Sequence, residues 1–194
     1  MKFLAQFSLL LNITRSHEIA RRYFVVNGFD GALTMLGIII GFYHVDHTPM
    51  SVIISACLGA AIALGMSGIS SAYISEAAER QRALRELEDA MVKDLGDSAH
   101  GLAARLMPFA IALVNGLAPF LISLLIMLPL WLPVLSTPLP LQPLELSIVI
   151  ALLLIFLLGV FLGRVSGHFW FVAGFRTLLV ALLTAALILL LTPS

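Results

Sequence analysis

Ile148-Val149-Ile150-Ala151-Leu152-Leu153-Leu154-Ile155-Phe156-Leu157-Leu158-Gly159-Val160-Phe161 contains no polar side chain, and from Ser147 to Gly163 the chain carries no charge. As a helix rising about 1.5 Å per residue, such a run covers most of a hydrocarbon layer about 30 Å thick. Four further stretches have the same character: Phe24 to Tyr43, Ser51 to Tyr73, Met107 to Trp131 and Phe169 to Leu191. The rest of the composition agrees. Hydrophobic residues make up 60% and charged residues 11% of the 194, whereas a soluble domain has about 25% charged residues. A soluble globule and a disordered chain are both excluded. Cys57 is the single cysteine, so there is no internal disulfide and no thiolate cluster. The net charge of zero gives nucleic acid nothing to attract. The expectation is an all-α, polytopic membrane protein with five transmembrane helices, located in the cell membrane.

Charge sets the orientation. Lys2, Arg15, Arg21 and Arg22 precede the first stretch; Arg80, Arg82, Arg85, Lys93 and Arg105 lie between the second and third; Arg164 and Arg176 flank the last turn. These are all 11 basic residues, and they fall on one side. Positive-inside then places the N-terminus in the cytoplasm and the C-terminus outside. Tyr23, Tyr73 and Trp170 mark the inner interface, Tyr43 and Trp131 the outer one. The expected organisation is an amphipathic cytoplasmic segment over 1–22, helices one and two over 23–75, an acidic cytoplasmic helical segment over 76–106, and helices three to five over 107–194. Residues 3–11 are apolar but interrupted by Gln6 and Ser8, with no small-x-small cleavage site after them. That favours a helix on the inner leaflet over a signal peptide. Pro138, Pro140 and Pro143 make the outer loop a stiff connection. The fourth stretch is expected to face lipid on most sides. The first three carry Asp30, a run of serines and glycines, and Asn115, and are expected to form the bundle interior.

Asp30 is the sharpest chemical feature. It stands in Asn27-Gly28-Phe29-Asp30-Gly31, inside the first stretch. A carboxylate at membrane depth costs about 2.5–3.5 kcal/mol on insertion scales, so it faces a cavity, a partner or an ion. No other stretch contains an acid, which leaves a cation or a proton as its natural mate. Gly28 and Gly31 allow a close helix approach or a local break. The candidate pathway residues are Asp30, Asn27, Met66 and Asn115, with Met66 offering a thioether to a soft cation.

Ser55, Gly59, Ala63, Ser67 and Ser71 recur every four residues in the second stretch. Small residues so spaced let helices approach closely, and packing is the plainer reading of most of them. Beyond Ser75 the composition turns acidic, with Glu76, Glu79, Glu86, Glu88, Asp89, Asp94 and Asp97 interleaved with arginines, as in Glu76–Arg80. The second helix is expected to continue to about Leu95 and stop at Gly96, with Asp97-Ser98 opening the next. Glu76, Glu79, Glu86 and Asp89, together with Asp30, are the candidate metal ligands, because oxygen donors suit a hard or borderline divalent cation. A solvated helix neutralised by its own arginines is the alternative. His44 and His47 share an outer loop with Asp46 but make poor material for a site. Walker loops, metalloprotease histidine pairs and Gly-x-Ser-x-Gly are all missing, so no enzymatic activity and no cofactor are expected.

The pattern from Arg22 through Asp30-Gly31 to Gly41, then Ser67, Tyr73, Glu79, Arg85-Glu86-Leu87, and Gly116 with Pro119, resembles the vacuolar iron transporter family. The spacing that carries it is an arginine eight residues before an Asp-Gly pair and a glycine eleven after the aspartate. The resemblance implies a five-span homodimer that exports ferrous iron or manganese from the cytoplasm in exchange for protons. Asp30 would be a pathway ligand, and Glu79 an acid at the cytosolic mouth. The sequence departs from the family at Ala72 and Gly68, where the family has a glutamate and its pore methionine, and at Ala90 and Lys93, where it has glutamates. It looks like a divergent, prokaryotic-type member with a shortened cytosolic metal-binding segment. The expected partners are the bilayer, a divalent cation, protons and a second copy, with no nucleic acid. Two alternatives stand beside this: the same fold with a different cationic cargo, and a non-transporting scaffold that docks a cytosolic partner through its acidic helix.

Overall fold

Apolar stretches of this length satisfy their backbone groups internally only as helices, and helices are what they form. The computed structural model describes residues 16–45, 47–132, 142–167 and 169–191. Its elements are α1 (Ser16–Tyr43), α2 (Met50–Met91), α3 (Ala99–Trp131), α4 (Pro143–Val165) and α5 (Trp170–Leu191). All five are long and apolar enough to cross a membrane. The expected N-terminal segment lies largely outside the described residues, as do Asp46, most of the proline-containing loop and the last three residues. Arg21 and Arg22 already belong to α1.

α2 has 42 residues, about 63 Å at 1.5 Å per residue, twice a bilayer core. It stops earlier than expected. Met91 is its last residue, and Val92 takes a positive φ of 48°. The Val92 N–H reaches the Asp89 carbonyl (3.4 Å) and the Lys93 N–H reaches Glu88 (3.2 Å). That is the Schellman pattern, with valine in the place that glycine normally fills. The turn brings Leu95 back to a buried position, where the Glu88 carboxylate accepts its N–H at 2.9 Å. Gly96 therefore sits within the turn rather than ending the helix, its N–H on Asp94 Oδ1 at 2.7 Å. Ser98 caps α3, as expected: its hydroxyl accepts the Gly101 N–H at 3.3 Å and donates to the Leu95 carbonyl at 2.6 Å. A left-handed conformation costs a non-glycine residue about 1–2 kcal/mol. Val92→Gly is accordingly expected to raise the thermal midpoint by about 2–4 °C, measured on purified protein in detergent.

The chain forms two compact units. Val25–Leu64 with Ala118–Ser194 makes one. There, α1 buries Val25, Gly28, Ala32, Met35 and Ile39 at alternating three- and four-residue steps, an apolar stripe along one face. This stripe meets Ile53, Cys57 and Ala61 of α2, Ile126, Met127 and Leu130 of α3, and Ala151 and Ile155 of α4 in one core. In a bilayer lipid supplies no hydrophobic drive between helices, and small residues and close packing of this kind hold a core there. α4 is more engaged than expected, burying Ser147, Ala151, Ile155, Leu158, Gly159 and Gly163. α5 is the outward-facing helix instead: 11% of its apolar window is buried, against 33% for α4. The reason is the glycine pair. A Cβ at Gly159 would collide with Thr177, and one at Gly163 would lie 2.7 Å from Ala173 Cβ, so α4 turns its narrow face to α5.

Met1–Phe24 with Gly65–Leu117 makes the other unit. Its helix crossing is backbone on backbone. A Cβ at Gly116 would collide with the Gly65 carbonyl oxygen and the Ile69 side chain, and one at Gly68 would stand 3.0 Å from Gly116 Cα. Asn115, buried beside them, donates to the Gly68 carbonyl at 2.7 Å.

Candidate functional site

The buried stripe of α1 fixes where Asp30 points. At about 100° per residue, Asp30 falls on the face opposite Val25, Gly28, Ala32, Met35 and Ile39, and it is exposed. Next to it Gly31 is buried against α3, where a Cβ would lie 2.7 Å from both the Cα and the carbonyl oxygen of Pro119. The close approach expected of the glycines is thus made by Gly31. Gly28 has ordinary clearance, its nearest neighbours being Ile122 and Leu158 at 3.6 Å. α1 runs unbroken through both, so no local break aims carbonyls at an ion. Among the described residues Asp30 has neither a hydrogen-bond donor nor a cation as partner. Asn27, a turn before it, is half-buried.

The four-residue stripe of α2 lies entirely on the outside. Ser55, Gly59, Ala63, Ser67 and Ser71 are all exposed, and the space around Gly59 is open. Internal packing uses the neighbouring stripe, Ile53, Cys57, Ala61 and Gly65. Met66, 59% exposed, shares the outer face. Its carbonyl accepts the Ser70 hydroxyl, and Ser71 donates to the Ser67 carbonyl at 2.8 Å. Such back-bonded serines can face an apolar medium without an outside partner.

The acidic residues separate by face. Glu76 is 5% exposed and belongs to a small network: the Tyr23 hydroxyl donates to it at 3.4 Å, and Arg80 Nε forms an ion pair with it at 3.6 Å. Glu79 and Glu86 line an open groove with Ser75, Ala78, Arg82 and Ala83. Arg82 Nε donates to Glu86 at 2.9 Å, both side chains being mostly solvent-exposed. Asp89 sits apart, in a shallow depression with Glu88, Val92, Lys93 and Asp94. Of the four acids taken together from the sequence, two share a surface. Among the described residues no three histidine, cysteine, aspartate or glutamate side chains converge as a metal site within one chain. Asn115 is committed to the Gly68 carbonyl and works as a helix clasp.

One grouping escaped the sequence reading, the Tyr23–Glu76 contact. The Glu76–Arg80 spacing pointed at the pair, but nothing in the pattern reveals a tyrosine 53 positions away. Removing a buried carboxylate leaves its donors unsatisfied, at about 1–3 kcal/mol. Glu76→Ala is therefore expected to lower the melting temperature by several degrees, while Tyr23→Phe, which removes the 3.4 Å hydrogen bond but leaves the Glu76–Arg80 ion pair, lowers it less. Thermal unfolding of both variants checks this.

No protein-family model matches the chain. It is similar to the uncharacterized protein MJ0645 of Methanocaldococcus jannaschii, with 30% identity over 177 residues covering 90% of this chain and 89% of that one.

Proposed function

Since the chain belongs to the same family as that archaeal protein, we propose from its own residues that it is a multi-pass cell-membrane exporter of a divalent cation, ferrous iron or manganese, working by exchange with protons. Its N-terminus is cytoplasmic and its C-terminus outside, by the placement of every basic residue toward one side of the apolar stretches. The observation that carries the proposal is Asp30: an exposed acid within a membrane-length helix, with no partner among the described residues of its own chain. Left against lipid it costs about 2.5–3.5 kcal/mol, and a cation or a proton removes that cost. A protonated carboxylate cannot hold a cation well, so one side chain couples the two ions by competition.

The exposed stripe of Ser55, Gly59 and Ala63 supports a homodimer, because small residues with open space before them admit a second helix closely. Glu79 and Glu86 collect the cation at the cytosolic mouth from their shared groove. A second reading keeps the fold and exchanges the cargo for another cation. It is favoured by Ala72 and Gly68, which offer no ligating side chain where the resembled family has a glutamate and a methionine.

Purified protein in liposomes, loaded with a metal-sensitive dye, tests both readings. Uptake of ferrous iron or manganese driven by a pH gradient supports the first, and gradient-driven uptake of calcium or zinc in preference to them supports the second. Protein that is folded and moves none of these ions is not a metal exporter.

A further inference from the structure

The turn from α4 to α5 carries two cations and an apolar groove that transport leaves unused. Gly159 and Gly163 bring the helices together, and the Thr177 hydroxyl lies 2.8 Å from the Gly174 carbonyl and 3.1 Å from that of Ile155 across the pair. Beside this contact runs a side-open groove of about 390 Å³, walled by Leu162, Phe169, Val172 and Ala173, with Arg176 lining it. Phe169, the one aromatic ring in its wall, stacks on Trp170 at 6.4 Å. Arg164 lies over the Trp170 ring at 5.5 Å.

The arginines here differ from Arg80 and Arg82 of α2, though not from Arg85, which has no carboxylate beside it among the described residues. Arg80 and Arg82 have carboxylates beside them, at 3.6 and 2.9 Å. Arg164 and Arg176 have none among the described residues. Arg176 stands six residues into α5, about 9 Å along its axis, at the depth where an arginine reaches for the phosphate layer. An anion must come from outside the chain, and the groove beside it is built for a hydrocarbon chain. A free phosphate would leave Leu162, Phe169 and Val172 uncovered. A zwitterionic headgroup would bring its own cation to the arginines.

We propose that this groove seats one anionic phospholipid, its phosphate on Arg176 and an acyl chain along Leu162 and Val172. The proposal rests on the membrane reading above. A basic side chain near the surface enriches anionic lipid about fivefold, and a shaped groove keeps that enrichment local.

Trp170 reports on the site. With Trp131→Phe it is the only tryptophan, since the chain has two. The protein, in nanodiscs of phosphatidylcholine, is titrated with dibrominated phosphatidylglycerol or dibrominated phosphatidylcholine. Half-maximal quenching of Trp170 is expected at about fivefold lower mole fraction of the anionic lipid. Arg176→Gln should close that gap while leaving quenching by phosphatidylcholine intact, and Arg105→Gln, an equal loss of charge in α3, should not. Equal titrations in the wild type overturn the proposal, as does a gap that survives Arg176→Gln or is abolished by added inorganic phosphate. Quenching of Trp131, in a Trp170→Phe background, without quenching of Trp170 means that protein covers the groove: the proposal falls and the membrane reading stands. If neither tryptophan is quenched, the membrane reading falls with it.

Discussion

Asp30→Asn is expected to yield a folded dimer that carries no proton-coupled cation flux. Asparagine keeps the shape of aspartate but neither binds a divalent cation strongly nor exchanges a proton. Stability should not suffer, because the carboxylate has no partner among the described residues to lose, and a neutral amide is cheaper than a charge at this depth. Asp30→Glu keeps the charge on a longer stem and should retain gradient dependence at a reduced rate. The measurement is initial uptake in liposomes at matched protein density, with size-exclusion profiles of the three proteins alongside. Wild-type flux from Asp30→Asn removes the proposed mechanism. Lost flux with an aggregated profile assigns the residue to folding instead. The prediction depends on the burial pattern of α1: had Asp30 fallen on the side of Ala32 and Met35, the same substitution would relieve a buried charge and stabilise the protein.

The largest loss of stability is expected from Gly116→Ala. The added methyl group meets the Gly65 carbonyl oxygen and Ile69, whose backbone nitrogen would lie 2.9 Å away. Backbone cannot swing aside as the end of a long side chain can, so the helices must separate. Separation stretches the 2.7 Å bond from Asn115 to the Gly68 carbonyl next to it. Overpacking costs about 1–3 kcal/mol, and an interhelical hydrogen bond in a membrane protein contributes about 0.6–1.7 kcal/mol. Together these should lower the melting temperature by about 5–15 °C. Gly41→Ala is the control. Nothing lies within 4 Å of its Cβ position, and alanine favours helix over glycine by about 0.5–1 kcal/mol, so that variant should melt at or slightly above the wild type. If both substitutions behave alike, the crossing at Gly65, Gly68 and Gly116 is not tight.

The acidic extension shows where reading a sequence by periodicity stops. Glu76 and Glu79 are three residues apart, about 60° around the helix. One turns into a network with Tyr23 and Arg80 while the other lines an open groove with Glu86. A one-dimensional pattern groups them because 60° is within its tolerance, and only a neighbouring helix distinguishes inside from outside. The end of α2 was misplaced for a related reason. Gly96 is the residue that ordinarily ends a helix, but burying Leu95 requires the chain to turn at Val92, and that packing overrides valine's aversion to a positive φ.

Five helices long and apolar enough for a membrane, and the grouping of every arginine and lysine toward one side of the apolar stretches, were determined by the sequence alone. Lipid offers the backbone no hydrogen bonds and charges no solvent, so composition along the chain is a sufficient statement of those features. Which face of each helix turns inward was decided by the tertiary structure. α2 offers two four-residue stripes, Ile53-Cys57-Ala61-Gly65, the more apolar, and Ser55-Gly59-Ala63-Ser67, the narrower, and both can lie against another helix. The first is inside because its Gly65 lets α2 meet the Gly116 backbone of α3. The second is left facing outward by that same contact.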